Sequence, residues 1–219
     1  RAIIDMIKEG HRVVIGHGNG PQVGVINLAF EYGNETNDKI PAMAFAECNA
    51  MSQGYIGYHL QQALRNLVDA EGVDRGVATV VTQVEVDPSD PAFQHPTKPI
   101  GLFYTEEQAK RLEAEEGYTF INDSGRGFRR VVPSPAPKHI VELDSIRCLL
   151  QNNNIVITVG GGGIPVVRDD AGYRGVDAVI DKDNSSARLA GQLGADTLLV
   201  LTAVDYVAIN FGTPEQEDL

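Results

Sequence analysis

Asp181-Lys182-Asp183 sets an ammonium group between two carboxylates, directly after the short apolar run Ala178 to Ile180. Upstream, the β-branched run Ile155 to Val159 breaks into four consecutive glycines, Gly160, Gly161, Gly162 and Gly163. A run without Cβ atoms can turn tightly and aim several backbone N–H groups at one point, which makes it a candidate cradle for phosphoryl oxygens. An anion cradle and a lysine at a strand tip are parts that phosphoryl transfer needs, because that chemistry is mostly positioning and charge neutralisation. The bland reading of the same residues is a Gly-rich surface turn followed by a solvated charge cluster. A second strand-to-helix turn lies near the N-terminus, where His11 to Ile15 runs into Gly16-His17-Gly18-Asn19-Gly20-Pro21. Pro21 stands where a helix begins and its missing N–H costs nothing there; Val25, Leu28 and Ala29 continue at helical spacing. The Gly18-Asn19-Gly20 loop therefore sits at the positive end of a helix dipole, a second candidate anion site.

These turns need a scaffold. Ala2 to Gly10 reads as the last turns of a helix closed by glycine. Pro41 to Ala70 reads as a long helix or a pair, with Ala44, Phe45, Cys48, Met51, Ile56, Leu60, Leu64 and Leu67 as its packing stripe. Val77 to Val86 reads as one strand, Lys138 to Gln151 as a helix, Ala187 to Leu193 as a helix closed by Gly194, and Thr197 to Thr202 as a further strand. Alternating strands, Gly-rich turns and helices predict an open three-layer α/β/α sandwich with a mostly parallel sheet, ligands binding at the carboxyl ends of its strands. The segment 87–137 differs. Prolines bracket a charged helix, Thr105 to Gly117, that opens on the capping box Thr105-Glu106-Glu107-Gln108. It predicts a small protruding subdomain inserted into a core formed by 1–86 and 138–219.

Composition narrows the function. The chain has 219 residues, 42% hydrophobic, and a net charge of −12, with no Lys/Arg run able to track a nucleic-acid backbone. An anionic ligand must then be held by local cations and amides. No apolar stretch approaches the roughly twenty residues of a membrane helix, and no signal-peptide layout opens the chain, so the expected compartment is the cytoplasm. Cys48 and Cys148 have no metal or redox spacing and read as reduced core residues.

GHGNGPQVG at 16–24, DPSDPAF and PTKPIG within 87–101, GRGFRRVVPSPAP at 125–137, GGGGIPVV at 160–167, AVIDKD at 178–183 and LTAVDYVAINFG at 201–212 together resemble the carbamate kinases, within the amino-acid kinase family. The match is colinear over nearly the whole chain. The resemblance implies an enzyme moving phosphate reversibly between ATP and carbamate, giving ADP and carbamoyl phosphate, with Mg²⁺ accompanying the nucleotide. It also implies a homodimer, built through helices such as Pro41 to Ala70, and ATP synthesis in arginine catabolism. By position, Gly18, Asn19 and Gly20 would hold the carbamate or its phosphoryl group, and Gly160 to Gly163 would approach the nucleotide phosphates. Lys182 would neutralise charge on the transferred group, Asp181 would fix the direction of Lys182, and Lys98 would reach from the subdomain to cap the substrate. Thr202, Val204, Asp205 and Val207 would wall the adenine pocket. No metal ligands and no general base are implied, since carbamate carries its own nucleophilic oxygen.

The sequence departs from the family pattern in four places. The Gly-Gly-Asn strand-turn expected before Ala2 and the lysine segment expected toward the C-terminus are absent, which predicts a partial chain. Gly16 replaces the usual Ser, and Val159 a common Cys. Two other readings therefore stand beside carbamate kinase: a catalytically incomplete nucleotide- or carbamoyl-phosphate-binding fragment, and a related amino-acid kinase for another small carboxylate.

Overall fold

Ile155, Val156 and Ile157 are all buried, but alternate residues of a strand point to opposite faces of a sheet. Ile155 and Ile157 pack with Ile4, Ile7, Leu64 and Val68 on one side, whereas Val156 packs with Ile146, Leu150 and Leu189 on the other. A central sheet between two helical layers follows, the three-layer α/β/α architecture. The computed structural model describes residues 1–123, 125–202, 206, 208–210 and 213–219.

In chain order the elements are α1 (Ala2–Lys8), β1 (Val14–Ile15), α2 (Gly20–Thr36), α3 (Phe45–Ala70), β2 (Gly76–Thr79), β3 (Gln83–Val86), β4 (Lys98–Tyr104), α4 (Glu106–Glu116), β5 (Thr119–Asn122), β6 (Phe128–Val132) and β7 (Pro137–Ile140). They continue with α5 (Leu143–Gln151), β8 (Asn154–Ile157), β9 (Ile164–Asp169), β10 (Gly172–Gly175), α6 (Lys182–Leu193), β11 (Ala208–Ile209) and β12 (Glu217–Asp218). Strands β1, β8 and β2 run parallel, with β8 in the middle. Strands β10, β9, β3 and β7 form a second sheet in which β3 and β9 are parallel and the outer pairings antiparallel. The segment between β3 and β7 carries its own antiparallel sheet, ordered β4-β6-β5, with α4 against it, and forms a lobe beside the core. As its sequence predicts, α4 opens on a complete Thr105–Gln108 capping box and closes on Gly117 in the left-handed region.

Five expectations need correction. Val77 to Val86 is two strands, because the chain changes sheets at Val80 to Thr82. There the Gln53 side chain replaces a neighbouring strand, accepting from the Thr82 N–H at 2.7 Å and donating to its carbonyl at 3.1 Å. Lys138 to Ile140 belongs to β7, held by register with Val84 and Glu85 of β3, a tertiary pairing that overrides the helical spacing. Ala178 to Ile180 is buried and extended but lies in no ladder, and the helix after it starts at Lys182 rather than Ala187. Thr197 to Thr202 forms no strand. No described strand registers with it, and Leu198 to Leu201 lie exposed. Cys48 is a fully buried free thiol, but Cys148 is exposed, since Ile146 and Leu150 define the inner face of α5 and position 148 falls opposite.

The turn after β8 is closely packed against its neighbours. Val159 adopts φ +44, unusual for a β-branched residue, and is fixed by burial and by its N–H donating to the Thr82 hydroxyl at 3.2 Å. Gly161, Gly162 and Gly163 follow at φ +64, +91 and +88. A Cβ on Gly162 would overlap the carbonyl of Ile180, which is backbone and cannot swing away. Gly162→Ala should therefore lower unfolding stability by about 3 kcal/mol, combining left-handed strain with an overpacked contact. Urea unfolding within about 0.5 kcal/mol of the parent would disprove that packing.

Candidate active site

The N-cap residue of α2, Asn19, is the pivot of the first turn. Its side chain is buried and donates to Asn49 Oδ1 at 3.0 Å and to the Ser52 hydroxyl at 2.7 Å, both on α3, so it leaves the helix start without a side-chain cap. Helix termini carry N–H groups that their own helix cannot satisfy. The amides of Gly18, Asn19 and Gly20 donate to no protein acceptor among the described residues, and all three residues line a cleft of about 320 Å³. His17 precedes them, its Nδ1 lying 3.0 Å from the Gly18 carbonyl. Burial pushes the His17 imidazole below its ordinary pKa, only partly offset by that hydrogen bond, so the ring is neutral near pH 7.

The second turn is built differently. Gly160 to Gly163 are buried, which rules out a surface turn, and their amides are largely committed. Gly161 N–H donates to the His17 carbonyl at 2.6 Å, Gly162 to Val159 at 3.0 Å and Gly163 to Gly160 at 3.0 Å. The expected cradle of several free amides is not seen here: the N–H groups of Gly161, Gly162 and Gly163 close a 3-10 turn and bind the first loop. The glycines serve close approach instead. A Cβ on Gly160 would overlap the His17 ring, and one on Gly161 the Asn19 amide. Of the four, only Gly161 lines the cleft.

The cations come from two sides. Lys182 is the first residue of α6, at a helix start rather than a strand tip, and its aliphatic stem runs past Gly18 at van der Waals distance, Cδ lying 3.4 Å from a Cβ built there. Its ammonium donates to Asp183 Oδ1 at 2.6 Å. Lys98, the first residue of β4, enters from the lobe, and its ammonium pairs with Asp181 Oδ2. The expected Asp181–Lys182 hydrogen bond is thus replaced. Asp181 is the N-cap of α6 and spends Oδ1 on the Asp183 amide at 2.9 Å and the Asn184 amide at 3.3 Å, leaving Oδ2 for Lys98. Burial pushes the Asp181 carboxyl up, but Lys98 and the two helix amides outweigh it and hold the group below the usual carboxylate range.

Gly18, Asn19, Gly20, Gly161, Lys98, Asp181 and Lys182 therefore share one cleft, and Asp183 joins them. Gly160, Gly162 and Gly163 lie behind it. Thr202 is exposed and does not line it, while Val204, Asp205 and Val207 lie outside the described residues. Sequence reasoning missed the polar layer beneath. Asn49, Ser52 and Gln53 interrupt the apolar stripe of α3, and Thr82 bonds Thr158 hydroxyl to hydroxyl at 2.6 Å. On α6, Ser185 donates to the Gly162 carbonyl at 2.6 Å. Polar residues on the inward face of α3 were the available signal.

A model of the amino acid kinase family matches residues 1–217. The carbamate kinase of Staphylococcus haemolyticus is 58% identical over 219 residues, spanning 100% of this chain and 71% of its own length. That of Staphylococcus epidermidis is 55% identical over 220 residues, with the same coverage. Among solved structures, carbamate kinase from Giardia lamblia bound to citric acid gives a TM-score of 0.88 at 47% identity, covering 95% of this chain and 67% of that one. The Giardia enzyme bound to AMP-PNP gives 0.83 at 45% identity, covering 99% and 68%. With the family model spanning nearly every residue and carbamate kinases aligning along the whole sequence, the chain belongs to the amino acid kinase family.

Proposed function

We propose that this protein is a carbamate kinase, transferring a phosphoryl group reversibly between ATP and carbamate. The observation that carries the reading is the meeting of Lys182, Lys98 and the Gly18 to Gly20 amides in one cleft, in a chain aligned end to end with carbamate kinases. The amides at the start of α2 point partial positive charge at the acceptor or at the phosphoryl group passing to it. Lys182 offsets the charge that spreads over the transferred oxygens, and Lys98 closes the cleft from the lobe at 87–137, which acts as a lid. Carbamate supplies its own nucleophilic oxygen, so no side chain has to remove a proton.

Mg²⁺ would enter with the nucleotide and offset charge on its phosphate oxygens. Among the described residues no three His, Cys, Asp or Glu side chains are grouped to hold a metal. The reading extends to a homodimer formed through α3, whose Tyr55 and Tyr58 are exposed, and to a cytoplasmic enzyme making ATP in arginine catabolism. No helix among the described residues is long and apolar enough to cross a membrane.

Coupled detection of ATP formed from carbamoyl phosphate and ADP tests the activity, and absence of turnover in the intact protein rejects it. Lys182→Ala should cut kcat about a hundredfold or more while changing nucleotide affinity little; equal losses in both would assign it to ground-state binding. Sedimentation should report two copies, and a single copy at assay concentrations removes the dimer. The Lys98–Asp181 pair gives a pH signature. Because the Asp181 pKa is depressed in the folded state, its contribution to stability is complete above the usual carboxylate pKa of about 3.9 and disappears as pH falls through the folded value. The stability gap between the parent and Asp181→Asn should be widest near neutrality and narrow on acidification; a gap independent of pH would contradict this.

A further inference from the structure

Strand β4 crosses helix α2 with no side chain between them. A Cβ on Gly24 would overlap the backbone of Gly101, so the lobe rests directly on the helix. Gly101 itself sits at φ +65, within an irregularity of the β4–β6 pairing between Ile100 and Tyr104. On one side of this crossing Lys98 reaches Asp181. On the other, a larger cavity of about 520 Å³ opens between α2, α4 and the lobe sheet.

That cavity holds a cluster centred on Glu31. The Tyr118 hydroxyl donates to Glu31 Oε1 at 2.7 Å. Arg130 Nη1 lies 3.4 Å from the same oxygen and donates to Asn27 Oδ1 at 3.1 Å, while its guanidinium stacks 3.5 Å from the centre of the Tyr118 ring. Tyr118 and Arg130 belong to the lobe; Asn27 and Glu31 belong to α2, one helical turn apart. Burial, then the bond to Glu31, pushes the Tyr118 phenol up to about 12, so it remains a donor through the working pH range. None of these four residues lines the Lys182 cleft.

The lobe sheet links the cluster to the cleft. Arg130 is paired in register with Ile100, and Lys98 lies two residues further along the same strand, on the same face and about 7 Å away. We propose that Glu31, Arg130 and Tyr118 are positioning residues for Lys98: with the Gly24–Gly101 crossing as pivot, they latch the lobe onto α2 at the angle that carries the Lys98 ammonium over the cleft. The inference rests on the reading of Lys98 as the capping group of a kinase site. Removing the Glu31 charge leaves a largely buried guanidinium with neutral partners only, which favours swinging the lobe outward to solvate it.

A double-mutant cycle in the intact protein tests the latch. Glu31→Gln should lower kcat about tenfold when Lys98 is present and less than twofold in the Lys98→Ala background, because the latch acts only through Lys98. Equal fold losses in both backgrounds, or no loss in either, overturn it. Should Glu31→Gln fail to fold, Tyr118→Phe enters the same cycle, where it removes only the phenol donor. Hydrogen exchange separates this idea from the kinase reading. If the parent shows no turnover the kinase reading fails, and the latch is then judged by β4 and β6 amides alone: faster exchange in Glu31→Gln or Tyr118→Phe supports it, and unchanged exchange overturns it.

Discussion

Everything at the cleft depends on close approach to the backbone at Gly160 to Gly163. Three segments distant in sequence converge there: the His17 to Asn19 loop, the turn itself, and Ile180-Asp181 at the start of α6. A side chain at Gly161 or Gly162 would separate them, and with them Gly18 from Lys182. Steric closeness alone would leave buried polar groups without partners, a state costing about 1 to 3 kcal/mol per group. The polar layer on α3 prevents this, with Asn49 and Ser52 binding Asn19 and Gln53 completing Thr82. The strained Val159 persists because the same layer determines its surroundings from several sides.

The two glycine turns consequently divide the work that their similar composition suggested they share. A helix start always leaves N–H groups over, and at α2 the natural cap, Asn19, is drawn away into the core, so those amides remain facing the cleft. The turn after β8 closes on itself through 3-10 hydrogen bonds and has little left to offer an anion. One turn leaves donors unsatisfied at the cleft, and the other supports it by spending most of its own on protein partners.

Much of this was legible in the residues. Pro21, Gly117, Gly194 and the Thr105–Gln108 box marked helix ends because capping chemistry is local, and Gly18, Lys98 and Lys182, each singled out by its motif, line one cleft. What escaped was decided by distant partners. Nothing within Val77 to Val86 announces that Gln53 will stand in for a strand at Thr82, and nothing near Lys138 reveals its pairing with β3. Asp181-Lys182-Asp183 admits either lysine–aspartate pairing by adjacency. The structure resolves it through α6, because a residue capping a helix has one oxygen fixed by amides and turns the other outward to Lys98.

That pairing also bears on how so acidic a protein accepts anions. With a net charge of −12, long-range attraction for phosphates is unfavourable, and each cleft lysine already faces a carboxylate, Lys98 with Asp181 and Lys182 with Asp183. The two pairs are not equivalent. Asp181 is tied to helix amides and only about a third exposed, so Lys98 is held in a fixed direction, whereas the Lys182–Asp183 pair is roughly half exposed and screened by water. Exchanging an exposed partner costs little. Under the proposed reading, a phosphoryl group carrying more than one negative charge and held by the α2 amides would displace Asp183 from Lys182 at small expense. Taking Lys98 from Asp181 would instead uncover a carboxylate beside the substrate. On that reading Lys182 would be the cation that changes partners during transfer and Lys98 the one that stays in place, and fixing the lobe would then matter more for Lys98 than for its neighbour.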